Sequence, residues 1–266
     1  MIMKHQIVLM YHDLFFSDKS ESGFQNSTAL KYKVSAKAFE AQVQSIENYL
    51  KCNKRQTNSV DFTFDDGGVS AILIAAPILE KYGFKGKFYI STAYLGTKGF
   101  LNIEQVKQLL QRGHYVGSHS HSHPERMNIL SEKKIDDEWA KSQAIIKDII
   151  GYSPNLASIP NGYISKKVLD GMLKSGIELI DTSAITNKVR HYKSTTLRGR
   201  YAITEDTTIQ QLMKIISSPS YRIVKRLRYE LLEIAKMILG NSYLTIRKKY
   251  LNCVRYKFYI KIRNGT

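Results

Sequence analysis

Three of the chain's seven histidines fall within one run, His119-Ser120-His121-Ser122-His123, closed by Pro124. His119 and His123 stand four apart and reach one metal ion if the run begins a helical turn, with His121 between them packing or orienting. A second polar cluster, Asp65-Asp66-Gly67-Gly68, follows the alternating run Val60-Asp61-Phe62-Thr63-Phe64. Successive side chains at a strand end point in opposite directions, so one carboxylate can ligate a metal while its neighbour faces the water that metal activates. Taken alone, Asp-Asp-Gly-Gly is also good chemistry for a solvated turn. Asp66 with the two histidines makes a two-histidine, one-carboxylate set, which leaves positions open for water and substrate. Zn2+ is the default occupant, and Co2+, Ni2+, Fe2+ and Mn2+ fit the same donors.

Such groups need rigid supports. Short apolar runs alternate with helical patterns over about two hundred residues, the pattern of repeated β/α units. Strands are expected at 6–11, 59–64, 87–92, 114–118, 156–159, 177–182 and 196–203. One helix starts at Ser35 and puts Phe39, Val43, Ile46 and Leu50 on a single face. Others run from Asn102 to Arg112, from Ser131 to just before Gly151, and over 165–175, each followed by a glycine suited to a C-cap. The strand count predicts an α/β barrel over residues 1–210, with 14–34 as a long loop on its functional side. Tyr11-His12, Asp65-Asp66, His119 to His123 and Pro160-Asn161-Gly162 then all stand just past C-terminal strand ends. In closed α/β barrels that is the face where catalytic groups converge.

The 266-residue chain is 43% hydrophobic and 24% charged, which excludes collagen-like and wholly disordered classes. Its net charge of +17 is uneven: residues 219–266 carry +10 and residues 1–218 only +7. This describes an ordinary body, 1–210, with a basic helical or extended appendage, 211–266. No nucleic-acid-binding signature accompanies the charge, so no nucleic-acid partner is expected. Cys52 and Cys253 lack CxxC partners, which argues against a disulfide scaffold or a cysteine metal site. No run approaches a membrane span, and Ile7 to Tyr11 is too short for a signal h-region, so a cytoplasmic location is expected. In the appendage, Ile223, Leu227, Leu231, Ile234 and Ile238 form one helical stripe, with Arg222, Lys225, Arg226, Glu233 and Lys236 opposite. Further on, Val254, Tyr256, Phe258, Ile260 and Ile262 alternate with basic residues, a strand-like period. Packing on the barrel and contact with an anionic membrane are the two readings of this tail.

Thr63-Phe64-Asp65-Asp66-Gly67 and His119-Ser120-x-x-His123-Pro124 together resemble the first two motifs of the polysaccharide deacetylases, the NodB-homology domains of carbohydrate esterase family 4. The resemblance covers residues 6–205 and implies a deformed (β/α)7 barrel of the NodB-homology type. It also implies Asp65 as general base and Asp66, His119 and His123 as metal ligands. The third motif departs from the pattern, with Ser158 where the family has Arg and Asn161 where it has an aromatic, on either side of Pro160. The fourth motif's Trp is replaced by Ile185, four after Asp181, and no histidine follows His191 to supply the fifth. In the circularly permuted poly-N-acetylglucosamine deacetylases the acid lies in an N-terminal Tyr-His. Leu9-Met10-Tyr11-His12 resembles that arrangement and assigns the acid to His12. Arg198 and Arg200 alternate on the last strand and point the same way, so either could replace the missing guanidinium; Arg200 and Asp181 are taken as the base-orienting pair for Asp65. The implied reaction is hydrolysis of the N-acetyl amide of an amino sugar, in a glycan or a lipid-linked saccharide, releasing acetate. A backbone N–H near Asn161 would serve the oxyanion, and Asn161, Tyr163 and Tyr11 would line the sugar groove. A silent glycan-binding barrel and a hydrolase of small non-sugar amides are the alternatives.

Overall fold

In the computed structural model, residues 6–239 are described, and contacts divide the chain into Met1–Pro219 and Ser220–Thr266. The first unit is a curled, almost wholly parallel sheet covered by helices. Its strands in chain order are β1 (Ile7–Tyr11), β2 (Leu14–Phe15), β3 (Val34–Ser35), β4 (Val60–Phe64), β5 (Gly86–Ile90), β6 (Tyr115–Ser118), β7 (Leu156–Ser158), β8 (Leu179–Asp181), β9 (Arg190–Tyr192), β10 (Thr195–Arg198) and β11 (Tyr201–Ala202). The nine-stranded sheet runs β11-β1-β4-β5-β6-β7-β8-β10-β9, with only the β9–β10 pair antiparallel. The expected strand 196–203 is split: β10 pairs with β8 while β11 pairs with β1. Only Gly199 and Arg200 separate the two pieces, so this bent strand draws the ends of the sheet together into the deformed barrel.

The helices form where apolar spacing and caps dictate. α1 (Ala36–Cys52) is capped by the Ser35 hydroxyl and buries Phe39, Val43, Ile46 and Leu50. Asn102 and Gln105 close a reciprocal capping box at the start of α3 (Ile103–Gln111). α4 (Glu132–Ile150) ends on Gly151 at φ 86°, a left-handed position that glycine adopts without a Cβ penalty. Ser165 caps α5 (Lys166–Lys174). Trp139 and Ile135 of α4 pack with Val168 and Met172 of α5 over Ala157 and Ile180, one buried cluster beneath β7 and β8. On the other side, Tyr11 stacks with Phe62 and Phe64 while Phe39 of α1 meets Tyr11 and Phe62 edge to face, between β1, β4 and α1.

Two helices lie outside the sequence expectation. A π turn over Ala71–Ala75 leads into α2 (Ala76–Lys81), where Pro77 interrupts the helical pattern but sits harmlessly in the first turn. α6 (Ile209–Ser217) buries Leu212, Ile215 and Ile216, so the compact body runs on to Pro219. The 14–34 loop holds the short β2–β3 pair and two 3-10 turns. In the second unit, α7 (Pro219–Leu239) carries the expected stripe, with Ile223, Leu227, Leu231, Ile234 and Ile238 between 47% and 74% exposed. The alternating run 254–263 lies outside the described residues. Among the described residues no helix is long and apolar enough to cross a membrane.

Candidate functional site

The C-terminal strand ends deliver the site. Asp65 and Asp66 follow β4, His119 follows β6, Ser158 ends β7, Arg200 follows β10 and His12 follows β1. Asp66 adopts φ 77°, Ser120 64°, His123 55° and Asn161 55°. Left-handed backbone at four non-glycine positions is costly and persists where the surroundings over-determine it, which is common at functional sites. These turns replace the expected helical turn. No helix spans His119 to His123, and the left-handed Ser120 and His123 fold the loop back so that both rings face Asp66. Glu138 of α4 pins the loop, accepting the N–H groups of His121 at 3.0 Å and Ser122 at 2.8 Å, and the Ser122 hydroxyl at 2.6 Å.

Asp66, His119 and His123 form a cluster that could hold a metal ion, with one donor atom from each lying within 4.8 Å of the others. The Asp66 Oδ1 atom stands 3.4 Å from His119 Nε2 and 3.3 Å from His123 Nε2. Donor bonds of about 2.0–2.2 Å to a tetrahedral ion place ligand atoms roughly 3.3–3.6 Å apart, so the separations fit a divalent cation. The same Oδ1 is buried without a hydrogen-bond partner, a costly arrangement that a cation relieves. Burial pushes the Asp66 carboxyl up, but the two facing imidazoles hold it well below the usual range. Asp66 is therefore ionised, as a ligand must be.

Asp65 is held apart from that set. Arg200 grips it with two hydrogen bonds, Nη1 to Oδ1 at 2.7 Å and Nη2 to Oδ2 at 2.8 Å. The Ser158 hydroxyl donates to Asp65 Oδ1 at 3.0 Å and stands 2.6 Å from His119 Nδ1. With that hydroxyl donating to Asp65, its oxygen can accept a hydrogen from His119 Nδ1, the tautomer that would free Nε2 to bind a cation. Burial would raise Asp65, but the Arg200 guanidinium and nearby His119 bring its carboxyl down to about 2. It is a permanent anion at neutral pH.

His12 is half-buried, with its ring 4.5 Å from Tyr32 and its Nδ1 buried without a hydrogen-bond partner. Burial lowers its imidazole below the ordinary value, against the opposing pull of Asp66 and Asp65. Asp181 stands a layer deeper and does not touch Asp65. Arg198 binds it through two hydrogen bonds, at 2.8 and 2.7 Å, and the Tyr89 hydroxyl donates to it. Arg198 also reaches Asp61 and Gln6, on the side of the barrel away from Asp65. Asn161 and Tyr163 lie on the exposed loop after β7, with the Arg126 guanidinium 5.4 Å from the Tyr163 ring. His121 meets Thr92 Oγ1, and His191 lies exposed on β9. In the sequence Ser158 stands as a gap in a motif, whereas in the fold its hydroxyl joins Asp65 to His119. Glu138 carried no signal beyond being an acid on a helix.

Residues 53–180 match the family described as polysaccharide deacetylase. YxkH of Bacillus subtilis is 25% identical over 186 residues, 65% of this chain and 62% of YxkH. The peptidoglycan-N-acetylglucosamine deacetylase PgdA of Listeria monocytogenes is 31% identical over 137 residues, 51% of this chain and 27% of PgdA. The chain thus spans less than two thirds of either relative. Among solved structures, the Streptococcus pyogenes deacetylase PplD in complex with acetate superposes with a TM-score of 0.63 at 21% identity, over 80% of this chain and 98% of that one. At that identity the likeness speaks for the fold.

Proposed function

From the match of residues 53–180 to the polysaccharide deacetylase family, we infer that this chain hydrolyses the N-acetyl amide of an amino sugar to acetate and a free amine. The observation that carries the reading is the pairing of two acids: Asp65, clamped by Arg200 and Ser158, beside the Asp66-His119-His123 donor set. Those three residues would hold a divalent cation, Zn2+ by donor type, which when bound polarises a carbonyl and lowers the pKa of water toward about 7. Asp65 is the base. Its carboxylate is ionised, fixed in orientation and hydrogen-bonded, so it takes a proton from the attacking water without reorganising. Ser158 and Arg200 keep its second lone pairs directed. His12, on the neighbouring strand β1, gives a proton to the departing nitrogen, since an amide does not release an amine as its anion. Backbone N–H groups near Asn161 would receive the developing oxyanion, and Tyr163 with Asn161 would border the sugar.

The name of PgdA makes the N-acetylglucosamine of peptidoglycan the first substrate to try, and a lipid-linked saccharide the second. The basic tail from residue 219 suits the second, because it would rest on anionic lipid where such a substrate is displayed. The test is acetate release from a panel of N-acetylated oligosaccharides, by protein stripped of metal and then reloaded with Zn2+. Release that depends on the added ion is expected. Binding of the oligosaccharides with no acetate formed under any metal would instead make the chain a glycan-binding barrel.

A further inference from the structure

Asp13 follows His12, is 2% exposed, and has no part in the chemistry above. Its Oδ1 accepts the hydroxyls of Ser22 at 2.6 Å and Ser70 at 3.1 Å. Ser22 Oγ accepts the Ser70 N–H at 2.9 Å, and Ser70 Oγ accepts the Leu14 N–H at 3.0 Å. The result is a closed ring of hydrogen bonds joining the end of β1, the 18–24 loop and the turn after Asp66. Two glycines make room for it. A Cβ on Gly23 would stand 1.7 Å from Asp13 Oδ2, and one on Gly68 1.8 Å from Asp13 Oδ1. Both segments also donate to one carbonyl, Gly99, from Gly23 N at 2.8 Å and Val69 N at 2.9 Å. Lys33, buried with them, donates to the Lys19 carbonyl at 2.6 Å and to that of Ser22.

The residue after Gly23 is Phe24, whose ring lies 5.0 Å from the His123 imidazole. Phe24 in turn meets Tyr94 at 4.8 Å and Phe100 at 5.0 Å. His119 is oriented by its hydrogen bond to Ser158, whereas His123 is flanked by the rings of Phe24 and His119. We propose that Asp13 is a positioning residue: through Ser22 and Gly23 it seats Phe24 against His123, and through Ser70 and Gly68 it fixes the turn carrying Asp66. This rests on the reading of Asp66, His119 and His123 as ligands.

The test is Co2+ titration of the metal-free full chain, following visible absorption, for wild type, Asp13→Ala, Asp13→Asn and Phe24→Ala. Urea unfolding of each metal-free protein is measured alongside. Loss of a group that supports a ligand typically weakens metal affinity about 10–100-fold. Asp13→Ala and Phe24→Ala should fall in that range with altered Co2+ bands. Asp13→Asn, which keeps the acceptor for both hydroxyls, should recover affinity to within about threefold of wild type. Folded Asp13→Ala with wild-type affinity and bands overturns the proposal, as does an Asn variant no better than Ala. If Asp13→Ala does not fold, Phe24→Ala decides, and an unchanged spectrum and affinity overturn it. A wild type that binds no Co2+ would sink the ligand assignment itself, a separate failure.

Discussion

Asp65 takes its three side-chain hydrogen bonds from two remote parts of the barrel: Arg200 contributes two from the bend of the last strand, and Ser158 one from the end of β7. The four motif residues were legible because paired acids after an alternating run and paired histidines before a proline are rare together. Arg200 was legible only as one of two alternating arginines, and the structure separates them: Arg198 serves Asp181 and Asp61, Arg200 serves Asp65. The part played by Ser158 was not legible, because a short hydroxyl acquires meaning only from what folds beside it. This arrangement sets a pH dependence. As the proposed base, Asp65 must be ionised to accept a proton, and at about 2 it stays so across the working range. In Arg200→Gln, burial would no longer be opposed by the guanidinium, and the carboxyl would rise. Activity should then be lost at a higher pH than in wild type as pH falls, so the acid limb of kcat/KM moves up. An unmoved limb would mean that Arg200 does not govern Asp65.

At the scale of elements, strands and capped helices followed their periodicity closely, since the buried faces of α1 and α4 carry unbroken apolar spacing. The bend at Gly199 did not, because it depends on which two strands the chain must bridge. There a Cβ would meet the Ala184 carbonyl oxygen at 2.4 Å and both the carbonyl oxygen and the Cγ2 of Thr186 at 2.5 Å. Two of these contacts are backbone, so the strand itself must shift. Gly199→Ala should cost about 1–3 kcal/mol in urea unfolding, as overpacking does. It should also lower turnover, because Arg200 is the next residue. Wild-type stability would show that the bend tolerates a side chain. The four-residue spacing of His119 and His123 suggests a helical turn, but left-handed Ser120 and His123, with Glu138 capping the loop N–H groups, achieve the same convergence.

At the scale of the whole molecule, a near-ordinary barrel is joined to a segment of 48 residues, 219–266, with a charge of +10. The stripe of α7 is exposed, and at about 1 kcal/mol per nearby basic side chain the segment suits an anionic lipid surface. Full-length protein should sediment with phosphatidylserine vesicles at low salt, and protein ending at Pro219 should not, while both release acetate from a soluble oligosaccharide. Full-length protein that ignores such vesicles would remove the membrane from the account. The central claim is the division of labour between adjacent acids, and one comparison tests it: metal content and turnover of Asp65→Asn beside Asp66→Ala. Asp65→Asn should keep the wild-type metal content and lose turnover by roughly 10²–10⁴-fold, while Asp66→Ala loses the metal. Asp65→Asn protein that is stripped of metal, or that turns over at the wild-type rate, would contradict it.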